Sequence, residues 1–272
     1  MSRTAVVGLG LLGGSVALGA GARGYDRDAA VRENARRRGI EAVDTLAEAV
    51  AGAELVVTAV PTAETPALMR ELAATAGAGA VLTDCASLKR PIVAAALGLR
   101  AGVRFVGGHP MAGARGHGLE ASSGEIFRDR AWAIVGTARS DDDAVAAVWA
   151  FAVSLGARPI LVDAEQHDGA MTWISHLPQA VASALARTAA TGGGPRLGDL
   201  AGPGLLDTTR LASQPVALAL ELAQADPEAL AGALGAVGTE LANLAAALRR
   251  GDTDAVRALF EEAAAGRRSF ER

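Results

Sequence analysis

Cysteine, lysine and aromatic residues are scarce in this chain of 272 residues: one Cys (Cys85), one Lys (Lys89) and 3% aromatics. A lone cysteine excludes an internal disulfide, and no Cys and His spacing here suits a zinc site. With few rings and half of all residues hydrophobic, the interior must be filled by Ala, Val and Leu. No excess of positive charge is present either. The 26 basic and 30 acidic residues give a net charge of −4 without a basic stripe, which argues against a nucleic-acid partner. Between Thr4 and Ala22 there is no charge at all, and Arg3 precedes that run, as in an export signal. Gly8, Gly10, Gly13, Gly14, Gly19 and Gly21 speak against a membrane helix, since each costs a helix about 1 kcal/mol relative to Ala. The run reads instead as a buried strand, a turn and a buried helix. These exclusions leave a cytoplasmic protein with no membrane and no nucleic-acid partner.

The chain is long enough for two modest domains, and its character changes near residue 163. Before that point, short β-like runs at 4–9, 55–60, 81–84, 103–108, 132–135 and 159–162 alternate with helical segments at 28–38, 66–76, 91–97 and 141–155. The alternation predicts βαβ units in a parallel, doubly wound α/β sheet of the Rossmann type over residues 1–163. Residues 164–272 read as an all-α dimerisation and substrate domain. Within it, 165–190 is one apolar segment with a kink or break expected at Pro178. A Gly- and Pro-rich loop follows, then 215–223, which is apolar on nearly every face and expected to be covered on all sides. Asp226 and Pro227 open a helix as cap and first-turn proline. Its Leu230, Leu234, Val237, Leu241, Leu244 and Leu248 form a coiled-coil-like seam. Val256, Leu259 and Phe260 mark a last amphipathic helix. So much apolar helical surface predicts a homodimer.

Gly8-Leu9-Gly10-Leu11-Leu12-Gly13 follows an apolar strand and opens an uncharged helix, the context in which G-x-G-x-x-G holds a dinucleotide. The glycines allow a tight turn and close backbone approach, and the helix N-terminus faces the pyrophosphate. Asp26, 18 residues beyond Gly8, is placed to bind the adenosine ribose. Its carboxylate favours NAD over NADP, while Arg27 next to it leaves NADP open. The interval 19–23 is short for a helix end, a loop and a second strand, so either the helix is clipped or the strand is rudimentary.

All four histidines fall between positions 109 and 176. Gly107-Gly108-His109-Pro110 ends an apolar run, placing an imidazole at a strand end on the ligand-binding edge of the sheet. An imidazole suits removal of a hydroxyl proton during hydride transfer; the competing reading is a histidine that satisfies a buried turn. Ser87 either meets a substrate hydroxyl or caps a helix. Lys89, unreplaced in a chain that otherwise uses Arg, suggests a substrate-binding ammonium. His176 and Gln179, three apart on one helix, can share a face toward substrate or an interface. Arg210 suits a substrate carboxylate through bidentate pairing, or pairs structurally with Asp207. Arg115 is a weaker candidate, and His117 and His167 read as solvated.

Taken together, these segments resemble the prephenate dehydrogenase family, which includes arogenate and cyclohexadienyl dehydrogenases. The matching pieces are the turn from Gly8 to Ser15, Gly24 to Arg27, Ala59-Val60-Pro61, Asp84 to Lys89, Gly107 to Gly113, His167-Asp168, Ser175 to Pro178, and Gly202 to Arg210. The resemblance implies a Rossmann domain and a helical dimerisation domain with the active site between them, and adds Val60 and Pro61 to the cofactor residues. By it, His109 takes the ring hydroxyl proton, Ser87 holds that hydroxyl, Arg210 binds a carboxylate of a dicarboxylic substrate, and His176 lines the cleft. No metal is implied, because loss of CO2 aromatises the ring. Many prephenate-using members carry a second histidine after Leu-Pro; Gln179 here raises arogenate, or an amino analogue of specialised metabolism, as substrate. Some relatives append a regulatory domain; none is expected here, and with it no feedback by tyrosine through such a domain. A hydroxyacid dehydrogenase or imine reductase does not need the Gly-Gly-His-Pro turn, and a non-catalytic NAD-binding sensor has no reason to keep His109, Ser87 and Arg210.

Overall fold

Seven strands form one sheet in the computed structural model, which describes residues 3–114 and 116–270. They are β1 (Thr4–Val7), β2 (Arg23–Tyr25), β3 (Leu55–Thr58), β4 (Val81–Asp84), β5 (Arg104–Pro110), β6 (Ala131–Val135) and β7 (Arg158–Leu161), in the order β2-β1-β3-β4-β5-β6-β7. From β2 to β5 every pairing is parallel, as the βαβ pattern predicts. β6 breaks that expectation: it runs antiparallel to β5 and parallel to β7. A buried apolar run looks the same in either direction, so the reversal leaves no local trace.

Helices α1 (Leu11–Ala20), α2 (Ala29–Arg37), α3 (Leu46–Val50), α4 (Thr65–Thr75), α5 (Arg90–Leu97) and α6 (Asp142–Ser154) belong to this unit. Alternate strand residues feed two cores, because successive side chains point to opposite faces. Val6, Val57, Val106, Trp132 and Ile134 pack with Val16 and Val148 from α1 and α6. Ala5, Val56, Leu82 and Phe105 pack with Leu72 and Ile92 from α4 and α5. The short interval before β2 resolves both ways at once. Gly21, left-handed at φ 61, stops α1 after Ala20, and β2 is only three residues long. Helix α3, absent from the sequence pattern, is set by a capping box between Thr45 and Glu48.

By internal contacts the chain divides after Asp168. The later helices are α7 (Ala164–Met171), α8 (Leu177–Gly192), α9 (Leu197–Leu200), α10 (Pro203–Thr208), α11 (Val216–Ala225), α12 (Pro227–Arg250) and α13 (Thr253–Ser269). Between α7 and α8 the backbone widens into a π turn, Thr172–His176. Pro178, in the first turn of α8, has no N–H to donate to the preceding turn, which accounts for the interruption. Asp226 and Asp252 cap α12 and α13 by accepting from Ala229 N–H (3.1 Å) and Ala255 N–H (3.0 Å).

The predicted seam on α12 splits into two stripes. Leu230 is buried and packs with Leu177 and Ala233, with Val237 alongside, whereas Leu241 and Leu248 are each 61% exposed. Helix α11 also departs from expectation. Only Leu222 is buried there, and Val216, Leu218 and Leu220 stand exposed. A helix apolar all round needs cover, but a single chain does not supply it.

Candidate active site

A cavity of about 810 Å³ is lined by residues such as Gly8, Gly10, Asp26, Arg27, Val60 and Pro61, which follow the carboxyl ends of β1, β2 and β3. Gly8 adopts φ +93, and a Cβ there would lie 2.6 Å from the Ala59 carbonyl oxygen. One on Gly13 would fall 1.8 Å from the Gly8 carbonyl oxygen, so only glycine fits either place. At Gly10 a Cβ would meet nothing within 4 Å, leaving the turn open on that side. Helix α1 starts here without a side-chain cap or an acid in its first turn, and Leu11 and Leu12 bring its first N–H groups. An uncapped helix N-terminus beside a cavity suits a pyrophosphate. Asp26 accepts the Leu9 N–H (2.8 Å) on one oxygen and the Asp28 N–H (2.9 Å) on the other. Arg27 donates to Glu64 at 2.9 and 3.3 Å, so its charge is already paired. These residues fit a dinucleotide.

His109 is half-buried near the end of β5, paired in register with Ala133 of β6. Its Nδ1 lies 2.9 Å from Nε2 of His167, and His167 Nδ1 lies 2.7 Å from Oδ1 of Asp168. His167, expected to be solvated, is 2% exposed, and this corrects its reading. Asp168 also accepts the backbone N–H of Lys89 (2.7 Å) and of Arg90 (2.8 Å) at the start of α5. Burial pushes its carboxyl pKa up, but the bonds from His167, Arg90 and Lys89 outweigh that and hold it below the usual range. An ionised Asp168 needs a proton on His167 Nδ1. With His167 neutral, its Nε2 must then accept from His109 Nδ1, which leaves the lone pair of His109 on Nε2. The chain of bonds therefore orients a base.

Ser87 is half-buried, with its hydroxyl 3.3 Å from that of Thr62. Lys89 departs from its expected substrate role. It is fully buried, and its ammonium bonds Asp84 and, at 2.6 Å, the Gly108 carbonyl oxygen. In the later unit, His176 is buried in the π turn and Gln179 is buried on α8. The Gln179 amide donates to the Leu211 carbonyl at 2.9 Å, within the 3-10 turn Arg210–Ser213. Arg210 is exposed at the head of that turn. His117 is exposed, and Arg115 lies outside the described residues. Sequence reasoning missed His167 and Thr62 as site members. The adjacent His167-Asp168 pair was the available signal for the first; Thr62 had none.

A doubly wound sheet with a glycine cradle at its first strand and an imidazole chain at its fifth defines an NAD-binding dehydrogenase. Comparison with known proteins narrows the class. The family model for the prephenate dehydrogenase nucleotide-binding domain matches residues 19–161, and that for the prephenate dehydrogenase dimerization domain matches residues 163–262. The chain belongs to the prephenate dehydrogenase family. It is 29% identical over 286 residues to a prephenate dehydrogenase of Lactococcus lactis subsp. cremoris, covering 100% of this chain and 78% of the relative. It is similar to a solved prephenate dehydrogenase of A. aeolicus in complex with hydroxyphenyl propionate and NAD+ (25% identity, TM-score 0.87, 99% of this chain, 98% of that one). The arogenate dehydrogenase of Synechocystis is also similar (25% identity, TM-score 0.80, 98% of this chain, 99% of that one). Across the matching curated relatives, the chain spans from 50% to 78% of their length.

Proposed function

We propose that this protein oxidatively decarboxylates prephenate to 4-hydroxyphenylpyruvate with NAD+, using His109 as general base. The observation that carries the reading is the bond chain from His109 through His167 to Asp168, because it leaves His109 Nε2 as the acceptor. A nicotinamide dinucleotide held by Gly8, Gly10, Asp26, Val60 and Pro61 would supply the acceptor for the hydride on the carbon that bears the ring hydroxyl. His109 Nε2 takes the proton of that hydroxyl as the carbon becomes a carbonyl. His167 and the Asp168 carboxylate stabilise the imidazolium that results. Cleavage of the ring carbon–carboxylate bond releases CO2, its electron pair completes the aromatic ring, and the ring oxygen takes the proton back from His109 to become the phenol hydroxyl. Ser87 holds the hydroxyl, Arg210 is the residue for a carboxylate of the dicarboxylic substrate, and His176 is a further substrate residue.

NAD+ is favoured over NADP+ because Asp26 would repel a 2′-phosphate and Arg27 is already held by Glu64. Val60, Pro61 and the first turn of α1 complete the cofactor residues. Residues 1–163 serve the dinucleotide, and 164–272 serve substrate and dimerisation. The exposed apolar stripes of α11 and α12 meet a second copy. By length and hydropathy α12 passes the test for a membrane span, but the dimerization-domain match gives its surface a protein partner. Gln179, which cannot carry charge, favours arogenate as a second substrate.

The test is NADH formation at 340 nm with prephenate and arogenate in parallel, each with NAD+ and NADP+. Turnover of prephenate with NAD+ is expected, and the arogenate ratio reads out Gln179. Silence with all four pairs, from protein that binds NAD+, would contradict the reading.

A further inference from the structure

Strand β4 supports only the first half of β5. Their ladder stops at Thr83 opposite Val106, because the chain then turns away through Cys85 toward Ser87 and α5. Gly108, two positions further along β5, therefore has no backbone partner on its β4 side. Two side chains replace the missing strand. The Asp84 carboxylate accepts the Gly108 N–H at 2.9 Å, and the Lys89 ammonium donates to the Gly108 carbonyl at 2.6 Å. Asp84 and Lys89 also bond each other, and both side chains are 0% exposed. A third bond, from the Ala86 N–H to Asp84 at 3.0 Å, holds the carboxylate in the turn.

Lys89 is engaged at both ends of the imidazole chain. Its side chain grips the residue before His109, and its backbone N–H donates to Asp168, at the far end. The circuit closes: His109, His167, Asp168, Lys89, Gly108 and back to His109. Gly108 must be glycine for this fit, since a Cβ there would stand 2.4 Å from the Asp84 carbonyl oxygen. A buried ion pair is a costly way to satisfy two backbone groups, and apolar residues of similar volume often serve stability as well.

We infer that Asp84 and Lys89 are positioning residues for His109: the ion pair holds the Gly108 peptide groups so that the imidazole stays on His167. This rests on the reading of His109 as the base. Changing one partner alone strands a buried charge, so the test uses neutral pairs. Asp84→Asn with Lys89→Met removes both charges and the donor to the Gly108 carbonyl. Asp84→Asn with Lys89→Gln removes the charges but keeps an amide that can donate there. In the Asn/Met variant kcat should fall about 100-fold, the scale of a 1 Å misplacement, with KM and NAD+ binding within about twofold of wild type. The Asn/Gln variant should recover part of that loss.

A folded Asn/Met variant with wild-type kcat would overturn the proposal. Equal losses in kcat, KM and NAD+ binding would overturn it too, since they indicate a general structural role. If neither pair variant folds while His109→Asn does, the ion pair is a determinant of the fold and the proposal also fails. His109→Asn, expected to lose about 10³-fold in kcat, is the control for the underlying reading. If it retains turnover, that reading fails; if it is inactive while the Asn/Met variant is not, only the positioning role fails.

Discussion

Val6, Phe105, Trp132 and Ile134 of the sheet unit are fully enclosed by residues of that unit, whereas Leu220, Leu241 and Leu248 of the helical unit are 53%, 61% and 61% exposed. The sheet unit closes two cores over its own strands, and its polar chemistry lies at strand ends, in the turns that follow them and on α7. The helical unit has a small internal core around Leu177 and Leu230, and it displays the rest of its apolar surface. The same composition, rich in Ala, Val and Leu, thus serves two ends. In one unit it makes a rigid frame for placing side chains. In the other it leaves an apolar surface that one chain does not cover.

Three outcomes would sharpen or break that contrast. The largest concerns substrate. Arg210→Ala should raise KM about 10- to 100-fold with NAD+ binding unchanged, as expected for a lost charge-assisted bond. An unchanged KM in steady-state assays would return Arg210 to a structural role. Next comes assembly. Leu241→Asp with Leu248→Asp should shift the sedimenting species from dimer toward monomer, while Leu97→Asp, an equally exposed leucine of the sheet unit, should not. If both shift it, or neither does, the two surfaces are not different in kind.

The smallest effect concerns pH. Asp168 has a folded-state pKa below its unfolded one, chiefly through its bond from His167 working against burial. Its contribution to stability is therefore fully present above the unfolded carboxylate value of about 3.9 and is lost as pH falls through the folded value. Asp168→Asn should lower Tm at neutral pH, with the gap to wild type shrinking in acid. A gap that widens below about pH 4 would contradict the sign of the shift.

Much of this was legible in the sequence, and the failures share a cause. Strand β4 was read to the residue and the Gly8–Gly13 turn was found where it stands, because strand and glycine signals are local. The strand read as ending at Gly108 instead runs on through His109 to Pro110, where a turn was expected. Long-range pairings were not visible. His167 is 58 positions from His109, and the Asp168 beside it, the local signal, does not say which distant residue the pair meets. The scarcity of lysine singled out Lys89, but scarcity does not tell a substrate-facing ammonium from one enclosed beneath a strand. The direction of β6 and the exposure of α11 failed for a similar reason. Periodicity records which face is apolar, and it does not record what covers that face.

The tautomer of His109 tests the central claim most directly, and four histidines make the experiment tractable. ¹⁵N-histidine labelling, with His109→Asn and His167→Asn for assignment, reads the protonation of each ring nitrogen near neutral pH. The account predicts that neutral His109 carries its proton on Nδ1 and an acceptor lone pair on Nε2. A proton on Nε2, with Nδ1 as acceptor from His167, would contradict it and remove the base from the proposed reaction.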